Sequence, residues 1–198
     1  MLYKYVKRIL DVVGALMLLV ILSPVMFIII IVTYFDQPQV FFKQLRIGKS
    51  EKPFSILKFH TIIYKNEGPV ITPFADFLRS HSLDELPQLI NVIKGEMSLV
   101  GPRPFFPDYL SYYTEEEKKR HQVKPGITGL AQVTGGNRIS WQQKLQLDLL
   151  YVKSISLKLD MEILFKSFGY VFKKSNHWDV VPLTIEREIK MQNLESAE

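Results

Sequence analysis

The chain has 198 residues, 47% of them hydrophobic, with a formal net charge of +5 and no cysteine. Without cysteine there is no disulfide framework, thiolate metal site or cysteine nucleophile, and the roughly 160 residues outside the longest apolar run leave room for one compact domain. The modest positive charge suits an anionic partner such as phospholipid, a phosphorylated lipid or a nucleotide, and nothing in the sequence supports nucleic acid.

Val12 to Phe35 is a run of 24 residues without a charge. It follows a basic start (Lys4, Lys7, Arg8), as a secretory signal would. It is longer than a signal's apolar core, however, and Tyr34-Phe35-Asp36-Gln37-Pro38 lacks a small-residue cleavage pattern, so the segment is expected to be retained. A straight helix of that length reaches about 36 Å, enough to cross a hydrocarbon core of ~30 Å. Ser23-Pro24 falls at its centre, where proline removes a backbone hydrogen bond and predicts a kink. Each arm is then about 18 Å, too short to cross alone. Ser23 can hydrogen-bond a carbonyl freed by such a break, and unsatisfied backbone is costly in lipid. Lys43, Arg46 and Lys49 follow the run as Lys4, Lys7 and Arg8 precede it, which fits both ends on one face. These features leave a kinked span and a re-entrant hairpin both open.

Val40-Phe41-Phe42 and Phe54 to Phe59 read as the strands of a small hairpin around Gly48-Lys49-Ser50 and Pro53. Between Lys43 and Lys58 the only acid is Glu51, so the hairpin is either a phosphate-facing element or a solvated basic loop. Gly48-Lys49-Ser50 is not the end of a phosphate-binding P-loop, because Lys43 stands where that pattern needs glycine. Ala75 to Arg79 reads as a short helix. Ser82 to Lys94 reads as another, closed by Gly95, with Leu86, Leu89, Ile90 and Ile93 as its buried stripe.

Asp84-Glu85 in that segment has two readings. Ser82 with Glu85 fits a capping box, but Pro87 would then be the fifth helical residue, where its ring clashes. A helix beginning at Pro87 instead places both acids just ahead of a helix N-terminus. Gly101-Pro102-Arg103-Pro104 must be a stiff extended turn able to aim an arginine. Glu115 to Arg120 reads as a solvated helix face. Lys124 to Gly129 and Thr134 to Asn137 read as turn-rich loops, the second able to approach a phosphate closely. Ser140 to Lys153 reads as a helix. Met161, Leu164, Phe165, Phe168 and Val171 recur at helical spacing beside Lys158, Lys166, Lys173 and Lys174, a pattern shared by an interfacial helix and by plain core. The tail from Pro182 is polar. His60, His81, His121 and His177 lack metal-ligand spacing and read as surface or packing residues.

The stretch Ser82-Leu83-Asp84-Glu85-Leu86-Pro87-Gln88-Leu89, followed by Asn91 to Pro104, resembles the signature of bacterial sugar transferases of the small monotopic phosphoglycosyl transferase type. Lys7-Arg8 with Asp11, Ser23-Pro24, Phe42-Lys43-Gln44 with Arg46 and Gly48, Lys58-Phe59, Pro125 to Val133, Asp148 and Asp160 match in the same order, from about Lys7 to Glu162.

The resemblance implies an α+β, mainly helical fold: a re-entrant N-terminal membrane hairpin over residues 1–36, and a membrane-surface catalytic domain with a short β-hairpin over 37–180. Residues 181–198 would form a polar tail. It implies transfer of a phosphosugar from a UDP-sugar, with N-acetylated amino sugars expected first, to polyprenyl (undecaprenyl) phosphate through a covalent aspartyl intermediate, releasing UMP. Asp84 would be the nucleophile and Glu85 the Mg²⁺ ligand. Lys58, Arg79, Arg103, Gln132 and Arg138 would bind substrate, and Ser23-Pro24 would break the membrane helix. The implied place is the cytoplasmic face of a bacterial inner membrane, with membrane lipid, downstream glycosyltransferases or a second copy as partners. Three positions depart from the family pattern: His60 after Lys58-Phe59, Gly136 where an arginine is frequent, and Asp76 in place of a glycine. They motivate the alternative of an inactive membrane-tethered nucleotide-sugar binding or scaffold protein.

Overall fold

The computed structural model describes residues 2–65 and 68–171. One long helix, α1 (Leu2–Asp36), precedes the antiparallel hairpin β1 (Phe41–Ile47) and β2 (Pro53–Phe59) and a smaller hairpin, β3 (Ile63–Lys65) and β4 (Gly68–Val70). The helices α2 (Pro73–Ser80) and α3 (Gln88–Lys94) follow, then the strand β5 (Ser98–Val100), α4 (Glu115–Lys118), β6 (Gly126–Thr128), α5 (Leu130–Thr134), α6 (Trp141–Ser154) and α7 (Leu157–Val171). The domain is mostly helical with short sheets.

Local chemistry explains the boundaries. Thr72 caps α2 by accepting from the Ala75 N–H, and Pro73 occupies the first helical turn, where a missing N–H costs nothing. Ser140 and Gln143 form a capping box at the start of α6. Gly95 ends α3 with φ 88°. The apolar stripe of α3 is rotated from the expected one. Leu89 and Val92 are the most buried apolar positions, in a core with Ala15, Phe54, Ile56 and Met97, while Ile93 packs at its margin.

The hairpin expected at Ser23-Pro24 is not confirmed: α1 is assigned as one helix through the proline. Pro24 cannot donate to the Val20 carbonyl, and the Ser23 hydroxyl donates to it instead at 2.8 Å, so no acceptor is orphaned. Packing also braces both sides of the break: Ala15 belongs to the α3 core, and Met26 and Ile29 pack with Phe59 and Leu78. The opposite face of α1, including Val13, Met17, Val20, Phe27 and Ile28, is exposed. Among the described residues it is the one helix long and apolar enough to cross a membrane.

The basic start of α1 turns inward. Arg8 donates through both terminal nitrogens to the Val92 and Ile93 carbonyls, at 2.6 and 2.9 Å, at the C-terminal end of α3. Lys7 pairs with Asp160 at 2.6 Å, and Asp11 accepts from the Ser98 hydroxyl and the Leu99 N–H. These residues lock α1 to the domain.

Two further expectations change. Gly126–Thr128, read as loop, pairs in parallel with β5. The glycines permit the approach, since a Cβ on Gly126 would lie 2.1 Å from the Gly101 nitrogen. Of the charged run from Glu115, Lys118 pairs with Glu115 and Lys119 with Glu116 on the surface as read, but Arg120 is buried. The α7 stripe is divided: Met161, Phe165 and Phe168 are exposed, while Leu164 packs against the core that holds Ile163. Lys173, Lys174 and the tail lie outside the described residues.

Candidate active site

Asp84 and Glu85 end a 3₁₀ turn, Leu83–Glu85, that is entered through Ser82 in the left-handed conformation (φ 57°). The Ser82 side chain makes no cap bond, and α3 begins at Gln88, one residue after Pro87. The capping-box reading is therefore overturned, and the proline sets the helix start. A left-handed serine ahead of two acids is the kind of backbone strain that concentrates at functional sites.

Both carboxylates are 8% exposed, yet their partners differ. Arg103 grips Glu85 with two bonds, Nη2 to Oε1 at 2.7 Å and Nη1 to Oε2 at 3.3 Å, and Lys58 Nζ reaches the same Oε1 at 2.7 Å. For Asp84 the nearest ion pair is Lys58 at 4.0 Å. Burial, and then the charge on Glu85, push the Asp84 pKa up to about 6, against the pull of Lys58, Arg103 and Arg79. Burial alone would raise Glu85 too, but Arg103 and Lys58 outweigh it and hold that carboxyl well below its usual range. One acid is a fixed anion and its neighbour a poised one.

Three scaffolds position these groups. Asn91 on α3 accepts from the Leu57 N–H at 3.0 Å and donates to the Ser55 carbonyl at 2.8 Å and to Glu96 at 2.7 Å, fixing α3 beside the strand that carries Lys58. The carbonyl of Arg103 accepts from Arg120 at 2.6 Å. Arg120 in turn pairs with Asp148 at 2.7 Å and lies over the Phe105 ring, in a site closed to water. Ile47 at the end of β1 donates to the Phe105 carbonyl, and Arg46 lies over the Phe106 ring, 3.4 Å from its centroid.

Lys58, Arg103 and the two acids thus meet, and Arg79 acts on Asp84 through its charge. Among the described residues, Gln132 and Arg138 form no hydrogen bond or ion pair with the acids. The Gln132 amide is buried without a partner, while Arg138 ends an exposed 3₁₀ turn. Sequence reasoning missed Arg46, Asn91, Arg120 and Asp148 as site-building residues. Strand alternation, which puts Arg46 on the face opposite Leu45, was the available signal for the first; an amide inside the apolar stripe of α3 was the signal for the second.

Among the described residues no three histidine, cysteine or acidic side chains converge. Two adjacent carboxylates are what the chain offers a cation, and Mg²⁺ commonly takes one or two carboxylates with water and substrate phosphate. The pair fits Mg²⁺ in charge and donor type, with Glu85 shared between the ion and the Lys58 and Arg103 groups that already bond its oxygens.

The family model described as bacterial sugar transferase matches residues 2–174. An uncharacterized sugar transferase of Bacillus subtilis, EpsL, is 45% identical over 80% of this chain and 83% of its own. The UDP-glucose:undecaprenyl-phosphate glucose-1-phosphate transferase of Caulobacter vibrioides is 37% identical over 86% of this chain and 71% of its own. The undecaprenyl-phosphate galactose phosphotransferase of Salmonella typhimurium is 34% identical over 86% of this chain, which spans 41% of that longer protein.

Proposed function

The chain belongs to the bacterial sugar transferase family, and from that premise we propose that it moves a sugar 1-phosphate from a UDP-sugar to polyprenyl phosphate, releasing UMP. The observation that carries the reading is the split environment of Asp84 and Glu85, one poised near neutrality and the other clamped by Lys58 and Arg103.

In the first displacement an Asp84 carboxylate oxygen attacks the sugar-linked phosphorus. The bond from that phosphorus to the bridging oxygen breaks, and UMP leaves with the electron pair. In the second, a phosphate oxygen of the polyprenyl acceptor attacks the same phosphorus and displaces the carboxylate, giving a polyprenyl diphosphate sugar. The aspartyl phosphate keeps the donor's transfer potential between the two steps. Lys58 and Arg103 keep Glu85 ionised and line the path of the phosphoryl oxygens, where fixed cations stabilise developing charge. Glu85 would hold Mg²⁺, and the chemistry the ion would supply is neutralisation of charge on the leaving nucleotide.

The donor meets the acceptor at a membrane surface, and α1 fits that task without crossing. From Arg8, bonded to α3, to Thr33, buried at 3% exposure, the helix stays packed on the domain. Run straight, those 25 steps would span about 38 Å, more than a ~30 Å hydrocarbon core. An upright α1 would draw a charged domain into lipid. The helix instead lies shallow, with both ends on the face where UDP-sugars are made, the cytoplasmic side of the inner membrane.

The test is the nucleotide product. With Mg²⁺ and undecaprenyl phosphate, a donor panel should release UMP, and release of UDP would sink the reading. UDP-glucose and UDP-galactose, the sugars in the relatives' names, belong on the panel beside the N-acetylated amino sugars that the family resemblance implies.

A further inference from the structure

Arg46 shares a face of the β1–β2 hairpin with Lys58. In the register Phe42 faces Lys58, Gln44 faces Ile56 and Arg46 faces Phe54, and directly opposed residues point the same way. Lys58 ends that face on the acidic pair. Arg46 ends it four residues along β1, about 14 Å away, beneath Phe106 and on the segment that carries Arg103. Stacking uses the flat side of the guanidinium and, among the described residues, its in-plane N–H groups make one bond, from Nη2 to Gln44 Oε1 at 2.5 Å.

Among the described residues Arg46 has no carboxylate partner. Burial and then the like charge of Arg103 depress its pKa to about 10, and Glu85 offsets them only in part. Lys58, Arg79, Arg103 and Arg46 bring four positive charges to a site where Asp84 and Glu85 bring two negative ones. A cationic cluster of this kind attracts an anion such as a diphosphate.

We propose that Arg46 is an anion-binding residue of the donor site, held by the Phe106 ring so that its free edge takes the diphosphate, while Lys58 and Arg103 attend the acidic pair. The proposal rests on the UDP-sugar reading above. A purely structural Arg46 would serve only to pin Phe106.

The test uses the full chain in nanodiscs, with inorganic pyrophosphate as calorimetric probe and UMP release as the kinetic readout. Arg46→Gln should weaken pyrophosphate binding and raise the donor KM by roughly ten-fold or more, the loss of one charge-assisted hydrogen bond, with kcat changed much less. Arg46→Lys should recover part of the loss, and Phe106→Leu, which removes the platform but keeps the charge, should raise KM as well. Pyrophosphate affinity and KM within two-fold of wild type in Arg46→Gln would overturn the proposal, as would a fall in kcat alone or a wild type that does not bind pyrophosphate. If the wild type releases no UMP from any UDP-sugar while Arg46→Gln still weakens pyrophosphate binding, the donor reading fails and the anion site stands.

Discussion

At the scale of single residues the site is decided by which acid is clamped. In the proposed mechanism Asp84 must be ionised to attack, so activity should rise as pH climbs through about 6 and fall off on the acid side of it. Asp84→Asn should abolish turnover and any trapped phosphosugar adduct. It should also stabilise the fold. A carboxyl raised from 3.8 to about 6 keeps its proton longer when folded than when unfolded, so the wild type loses stability as pH rises between those values. The asparagine has no such loss, and its melting temperature relative to wild type should be higher at pH 7.5 than at pH 4, by no more than the equivalent of about 3 kcal/mol. Equal differences at the two pH values would refute the raised pKa. Asp84, Glu85, Lys58 and Arg103 were legible in the sequence because they sit in one dense motif and its matched neighbours. Arg120 was not, since a basic residue after Glu-Glu-Glu-Lys-Lys looks the same whether it is solvated or buried against an aspartate 28 positions away.

At the scale of elements, α3 carries the acids' geometry and Asn91 carries α3. Asn91→Ala should leave the Leu57 N–H and Ser55 carbonyl without partners, costing roughly 2–4 kcal/mol by denaturation in detergent. Asn91→Asp keeps the shape and can still accept from Leu57, but it loses both donations and sets a second carboxylate beside Glu96, 2.7 Å from the present amide nitrogen. It should destabilise at neutral pH and recover as acid protonates the pair; a variant insensitive to pH would disprove that arrangement. The β1–β2 hairpin and the Gly95 stop were readable from alternation and turn chemistry. The β5–β6 pair was not, because Pro125 with Gly126 and Gly129 in a short run signals a loop, while here these two glycines and Gly101 let two backbones touch. The buried Arg120–Asp148 pair behind Arg103 belongs to the same hidden layer, and breaking it with Asp148→Asn should cost about 3–5 kcal/mol.

At the scale of the whole molecule, the sequence offered a membrane segment with a central proline, and local rules predicted a bend there. In the structure the Ser23 hydroxyl takes the Val20 carbonyl that Pro24 cannot serve, and both halves of α1 pack on the domain. Because the chain has no cysteine, single cysteines are unique probes. Cysteines introduced at Tyr5 and at Gln39, near the two ends of α1, should react with an impermeant maleimide from the same side of inverted vesicles; opposite sidedness would mean that α1 crosses, and the shallow placement would fall. The exposed apolar residues of α7 give an independent check. Phe165 at 74% and Phe168 at 70% exposure project from a helix whose Ile163 is buried, and Asp160 at its start pairs with Lys7 of α1, so α7 and the membrane helix are joined at one end. Large exposed aromatics beside an apolar helix bind lipid interfaces at a depth set by that helix. Phe165→Glu with Phe168→Glu should leave melting in detergent unchanged, because neither ring is in the core. In proteoliposomes it should raise the apparent KM for the polyprenyl acceptor far more than that for the donor, since tilting the domain away from the headgroups costs access to the lipid substrate alone. Equal effects on both substrates, or none, would return α7 to an ordinary solvated helix.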